Sequence, residues 1–120
     1  MRKTIVMRAS EYKVQEFDWG TLTWFASKEI GNSSVLTVGR CVIKPGRENP
    51  RHHHPNCDEV LHVLRGKIVH TMEDGKSVEM GEGDTISVPP NIGHNAKNVG
   101  VEDAVLSICF SSAERKTVGE

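Results

Sequence analysis

Apolar and polar residues alternate along this chain in short runs, broken by turn residues at Gly31, Gly39, Pro45-Gly46, Gly66, Gly75, Gly81, Gly83, Pro89-Pro90, Gly93 and Gly100. Breaks this frequent suit strands, and no stretch carries a long helical period. β-rich runs are predicted over 35–43, 59–65, 67–72, 77–80, 85–88, 94–98 and 104–110. Asp74-Gly75, between two of these runs, reads as a two-residue hairpin turn, because both of its positions must accept positive φ. The middle of the chain is therefore expected to fold back antiparallel. Many short antiparallel strands at even spacing predict an all-β architecture, a double-sheet jelly roll or a sandwich.

Residues 1–34 hold most of the large aromatics, Phe17, Trp19, Trp24 and Phe25, together with Leu22. Alternation at 17 and 19 and again at 22 and 24 predicts an early strand pair. These rings would close one end of the barrel core, with a ligand-lining or dimer-forming edge as the alternative.

Length and charge narrow the picture. With 120 residues the chain fits one domain, 1–120, large enough to bury a core without disulfide staples. Fifteen basic residues against sixteen acidic ones leave a formal charge of −1 with no basic block, so no nucleic-acid partner is expected. No run is long enough to cross a membrane, and the first residues lack the apolar stretch and cleavage site of a signal peptide, so a cytoplasmic protein without a membrane partner is expected. Cys41, Cys57 and Cys109 are odd in number, far apart and outside any C-x-x-C pair, which fits reduced thiols and not a zinc finger.

The segment from Arg51 to His62 concentrates imidazoles around a carboxylate, the composition of a metal site. In an extended strand residues i and i+2 share a face, so His52 and His54 can present two rings to one ion while His53 points away. Glu59 opens the next strand and can return a carboxylate to the same place. His94 follows another tight turn, Pro89-Pro90-Asn91-Ile92-Gly93.

At these residues the sequence resembles the cupin superfamily. The first motif of that family, G-x5-H-x-H-x4-E-x6-G, is matched by Gly46, His52, His54, Glu59 and Gly66. The second, G-x5-P-x-G-x2-H-x3-N, is matched by Gly83, Pro89, His94 and Asn98, with Asn91 in place of its internal glycine. Asparagine tolerates a left-handed backbone well enough to keep that turn. The matched region, 46–98, covers about half of the chain, with the strands of 1–34 closing the barrel or a dimer. The resemblance implies a double-stranded β-helix, commonly a homodimer, in which His52, His54, Glu59 and His94 ligate a divalent metal.

Three imidazoles and a carboxylate suit Fe, Mn, Ni or Zn better than calcium or magnesium. Four protein ligands leave positions open for a small-molecule substrate, so the site is competent for chemistry. The expectation is a metalloenzyme acting on a small oxygenated molecule, a keto or enol compound, sugar or acid, as a dioxygenase with iron or as an isomerase or lyase with manganese, nickel or zinc. The alternative is a non-catalytic binding module, since the fold does not fix the reaction.

His70 shares a strand face with Ile68 and Met72 and is the acid/base candidate if that face lines the cavity. Arg40 interrupts an apolar alternation, and either faces solvent or offers its guanidinium to an anionic substrate. His62, at odd separation from Glu59, is expected on the opposite face as a satisfied histidine. Cys57 is expected to point outward from its turn as a spectator thiol. Leu106, Ile108 and Phe110 alternate as wall residues.

Overall fold

A computed structural model describes residues 3–120. Eleven strands follow one another: β1 (Val14–Phe17), β2 (Gly20–Ala26), β3 (Thr37–Ile43), β4 (His52–His53), β5 (Glu59–Arg65), β6 (Ile68–Thr71), β7 (Ser77–Met80), β8 (Thr85–Val88), β9 (Ala96–Asn98), β10 (Ala104–Phe110) and β11 (Val118–Gly119). One antiparallel sheet has the order β1-β2-β3-β10-β5-β8. The order β7-β6-β9 forms a second layer. Single bridges between Glu48 and Lys97 and between His52 and His94 carry that layer on to the β4–β11 ribbon. The architecture is the all-β jelly roll expected from the pattern of the chain. Among the described residues no helix is long and apolar enough to cross a membrane.

Alternation explains which side chains fill the space between the layers. Along β10, Ala104, Leu106, Ile108 and Phe110 are buried while the residues between them are partly exposed. On β5, Glu59, Leu61 and Val63 point inward, and on β3 Cys41 and Ile43 do. Each fully buried aliphatic chain of this kind contributes about 1.5–3 kcal/mol, the main force holding the two layers together. Two strand ends of the core are fixed by Asn98, fully buried: its Nδ2 donates to the carbonyls of Ile43 and Glu102, both at 2.8 Å, and its Oδ1 accepts from Gly100 N.

Three turns refine or overturn the sequence reading. Asp74 and Gly75 both take positive φ, 60° and 70°, as expected. The loop is longer than two residues, however: Met72 N bonds to Lys76 O, leaving Glu73–Gly75 as a 3-10 turn between them. Asn91 adopts φ 69° and its N–H bonds to His54 O at 2.9 Å, so asparagine does hold the left-handed turn. Cys57 is buried, not outward. Asp58 N bonds to Ser111 Oγ and Asn56 Nδ2 to Glu114 O, and these bonds draw the loop against the segment after β10 and tuck the thiol into the core.

The early aromatics divide between two faces. β1 and β2 form the expected hairpin. Trp19, Leu22 and Trp24 pack against the core and line its cavity, whereas Phe25 packs on Tyr12, ring centroids 4.7 Å apart.

Candidate metal centre

The backbone brings the histidines together before their side chains are considered. His52 N donates to His94 O and His94 N to His52 O, at 3.0 and 2.8 Å, a reciprocal pair that sets the two residues opposite one another. Their ring centroids lie 4.5 Å apart, and that of His54 lies 4.8 Å from that of His52. Glu59 arrives from the facing sheet, where it is paired between Val88 and Phe110. One potential ligand atom from each of His52, His54, Glu59 and His94 falls within 4.8 Å of all the others. His53 points away, toward Glu120 at 3.3 Å.

Hydrogen bonds select the tautomers. The Nδ1 atoms of His52, His54 and His94 lie 2.7, 2.9 and 2.8 Å from the carbonyl oxygens of Pro50, Lys116 and Ile92. A carbonyl only accepts, so each Nδ1 carries a proton and in the neutral ring Nε2 is left with the lone pair. The Nε2 atoms of His94 and His54 stand 2.9 and 3.3 Å from Glu59 Oε1. Lone pairs converging on a buried carboxylate repel unless a proton or cation lies among them. His54 Nε2 is the buried side-chain polar atom that, among the described residues, lacks a hydrogen-bond partner. A divalent metal fits this donor set, since it would engage all four groups at once.

The electrostatics favour a positive charge among these groups. Burial alone would raise the Glu59 carboxyl, yet the positive charge that His54 and His94 can bring against it more than offsets burial and holds the group down at about 2. Burial pushes His52 down to about 4, toward the neutral form that a ligand requires. His94 is pushed up, because hydrogen bonding and attraction to Glu59 outweigh its burial, so without a metal a proton on its Nε2 is the cation that this pair favours, and a bound metal would take that proton's place.

The four residues line a cavity of about 240 Å³ whose walls include Trp19, Leu22, Trp24, Leu106, Ile108 and Phe110. His70 also lines it, as its strand face suggested, and stacks on His94 with centroids 5.4 Å apart and planes at 14°. Its Nδ1 donates to Thr71 O at 2.7 Å, and burial, followed by the charge of His94, lowers its basicity. Arg40 is not brought into the cavity. It is exposed on β3 between inward-facing Gly39 and Cys41, so strand alternation turns it outward, over the Phe25 ring at 5.4 Å. His62 is likewise on the outer face, satisfied by Thr85 Oγ1 at 2.7 Å.

Sequence reasoning missed Arg115, which lines the cavity from the segment after β10. That segment shows no strand pattern, so nothing in its composition marked it; it is brought to the site by Asn56, whose side chain bonds to Glu114 O and Lys116 N on either side of Arg115, and by the pairing of β11 with β4.

A family model described as the cupin domain matches residues 39–110. The chain belongs to the cupin family. Germin-like protein 3-8 of Oryza sativa subsp. japonica is 35% identical to this cupin over 85 residues, 68% of this chain and 38% of that protein. Germin-like protein subfamily 3 member 2 of Arabidopsis thaliana is 31% identical over 97 residues, 72% of this chain and 43% of its own. This cupin thus spans about two fifths of the length of those curated relatives. A Bacillus subtilis oxalate decarboxylase, in a structure concerned with its Mn(II) centres, superposes with a TM-score of 0.83 at 26% identity, covering 93% of this chain and 31% of that one.

Proposed function

We propose that this cupin is a metalloenzyme in which His52, His54, Glu59 and His94 hold one divalent transition metal and a small oxygenated substrate binds beside it. The observation that carries this reading is the buried lone pair of His54 Nε2, facing Glu59 with no hydrogen donor of its own. A bound metal would supply Lewis-acid polarisation of a substrate oxygen or, if redox-active, electron exchange with dioxygen. Manganese is favoured by the Mn(II) centres of the similar oxalate decarboxylase.

The residues of the chain supply the rest. Trp19, Leu22, Ile108 and Phe110 exclude water from the site. His70 donates from Nδ1 to a carbonyl, which leaves Nε2 as its basic atom, and its lowered basicity keeps it neutral near pH 7. It is the group proposed to take up or return a substrate proton. Lyase or isomerase chemistry follows from that pairing of metal and neutral base, and dioxygenase chemistry is the variant expected with iron. A neutral imidazole beside the cluster supports this reading over a purely binding module.

We also infer a homodimer in the cytoplasm. Val60 and Leu64 leave an apolar strip exposed on the outer face of β5, and all three cysteines are free. A monomeric mass by light scattering would remove the dimer.

The test is elemental analysis of untagged protein, then assays of the Mn- and Fe-loaded forms against small oxo acids and dicarboxylates for CO2 release and oxygen uptake. Near-stoichiometric metal with turnover that His70→Asn abolishes is expected. No metal uptake after reconstitution overturns the reading, and metal without turnover reduces the protein to a binding module.

A further inference from the structure

We infer that Arg115 is the carboxylate-binding residue of this cavity, so that the substrate is a small organic acid anion held at one end by that guanidinium. The inference rests on the proposed metal site for the position of the other end.

Two guanidinium groups line the cavity, and their surroundings differ. Every nitrogen of Arg51 is engaged: Nε donates to Glu120 Oε2 at 3.0 Å, one terminal nitrogen to Thr71 Oγ1 at 3.3 Å and the other to Gly93 O at 2.9 Å. It serves as a strut between the end of the chain and the second layer. Arg115 donates to Thr117 Oγ1, and no carboxylate among the described residues forms an ion pair with it. Its Cζ packs 4.3 Å from the centroid of Trp24 and 5.1 Å from that of Phe110. A guanidinium has five N–H donors, so most of its hydrogen-bonding capacity is unspent in a wall that is otherwise mainly apolar.

Position points the same way. Phe110 carries the guanidinium and also the His54 ring, whose centroid is 4.9 Å from its own, so cation and metal cluster share one aromatic support. Arg115 and Trp24 also line an open groove on the outer surface, which puts the cation at the boundary between cavity and solvent. Glu59 acts on it through its charge but forms no ion pair with it, its Oε1 facing the two histidines. A planar fork with free donors, held by aromatic packing at the entrance to a cavity of about 240 Å³, matches a carboxylate on a molecule of a few carbons.

Trp19 and Trp24 are the two tryptophans of the chain and both line the cavity, so intrinsic fluorescence reports on its contents. Malonate and its uncharged counterpart malonamide are titrated into Mn-loaded wild type, Arg115→Met and Arg115→Lys, with metal content measured on the same samples. The methionine keeps apolar packing on Trp24 and Phe110, and the lysine keeps the charge without the fork. The expected result is unchanged metal content, malonate affinity weakened roughly 30-fold or more in Arg115→Met and partly restored in Arg115→Lys, and equal, weak malonamide binding throughout. Malonate affinity in Arg115→Met within about threefold of wild type overturns the assignment, as does equal binding of malonate and malonamide by wild type. If wild type takes up no manganese, the metal reading fails alone. The same titration of the metal-free proteins then decides on Arg115: loss of malonate binding on substitution supports it, and no dependence on Arg115 overturns it.

Discussion

His54 Nδ1 lies 2.9 Å from the carbonyl oxygen of Lys116, a residue 62 positions further along the chain. That bond orients a histidine of the candidate metal cluster by way of the segment leading into β11, which the pairing of β11 with β4 holds in place together with Asn56. A chain ending at Arg115 keeps all four candidate ligands but loses this bond, together with the Glu120 contacts to Arg51 and His53. Its manganese affinity is expected to fall by about 10–100-fold, the usual effect of removing a group that orients a ligand. Competition with a chelating dye measures this; an unchanged affinity would mean that His54 is positioned without the terminal segment.

His94→Ala removes one Nε2 from the cluster and the ring on which His70 stacks. Loss of stoichiometric metal is expected from a protein that still folds, because the strands around the site are held by backbone bonds that alanine retains. Elemental analysis and far-UV circular dichroism check the two halves separately. Full metal content in this variant would remove His94 from the ligand set.

The cluster was legible in the sequence because each of its members obeys a local rule. His52 and His54 share a face by strand alternation, and Glu59 and His94 stand at motif spacing after tight turns. Strands β5, β7, β8 and β10 were legible as short runs rich in β-favouring residues between turn signals. Arg40 shows where such rules stop: interruption of an apolar alternation marks an outward position as readily as a functional one, and only the register of β3 with its neighbours decides. Arg115 and the bond from His54 to Lys116 depend on contacts between distant segments, the Asn56 side chain with Glu114 and Lys116 and a ribbon of two-residue strands, which leave no periodic signal.

Gly39 lies under Trp24. A methyl group there would come 2.5 Å from Trp24 Cε3 and 2.7 Å from Thr23 O, too close for either to remain in place. Gly39→Ala is expected to destabilise the fold by about 1–3 kcal/mol and to displace the indole on which Arg115 packs. Urea unfolding gives the stability, and a shifted tryptophan emission maximum reports the displacement. Wild-type stability with unchanged emission would show that this wall of the cavity is loosely packed.

Cys41 lies in the cavity wall, where burial first and the charge of Glu59 second push its thiol from the ordinary 9.0 up to about 12. Between those two values an unfolded chain has released the thiol proton that the folded chain still holds, so protonation favours the fold and stability is lost as pH rises from 9 toward 12. Cys41→Ala lacks this contribution and is expected to lose less stability than wild type over that window, although the smaller side chain makes it less stable at neutral pH. Denaturant midpoints near pH 8 and near pH 10.5 make the comparison, and other alkaline groups cancel because both proteins carry them. The same burial predicts that native Cys41 resists a thiol reagent at about pH 8 while half-buried Cys109 reacts first. Equal alkaline losses in the two proteins, or rapid modification of Cys41 in the folded state, would mean that water reaches the thiol and that the cavity wall is open at this point.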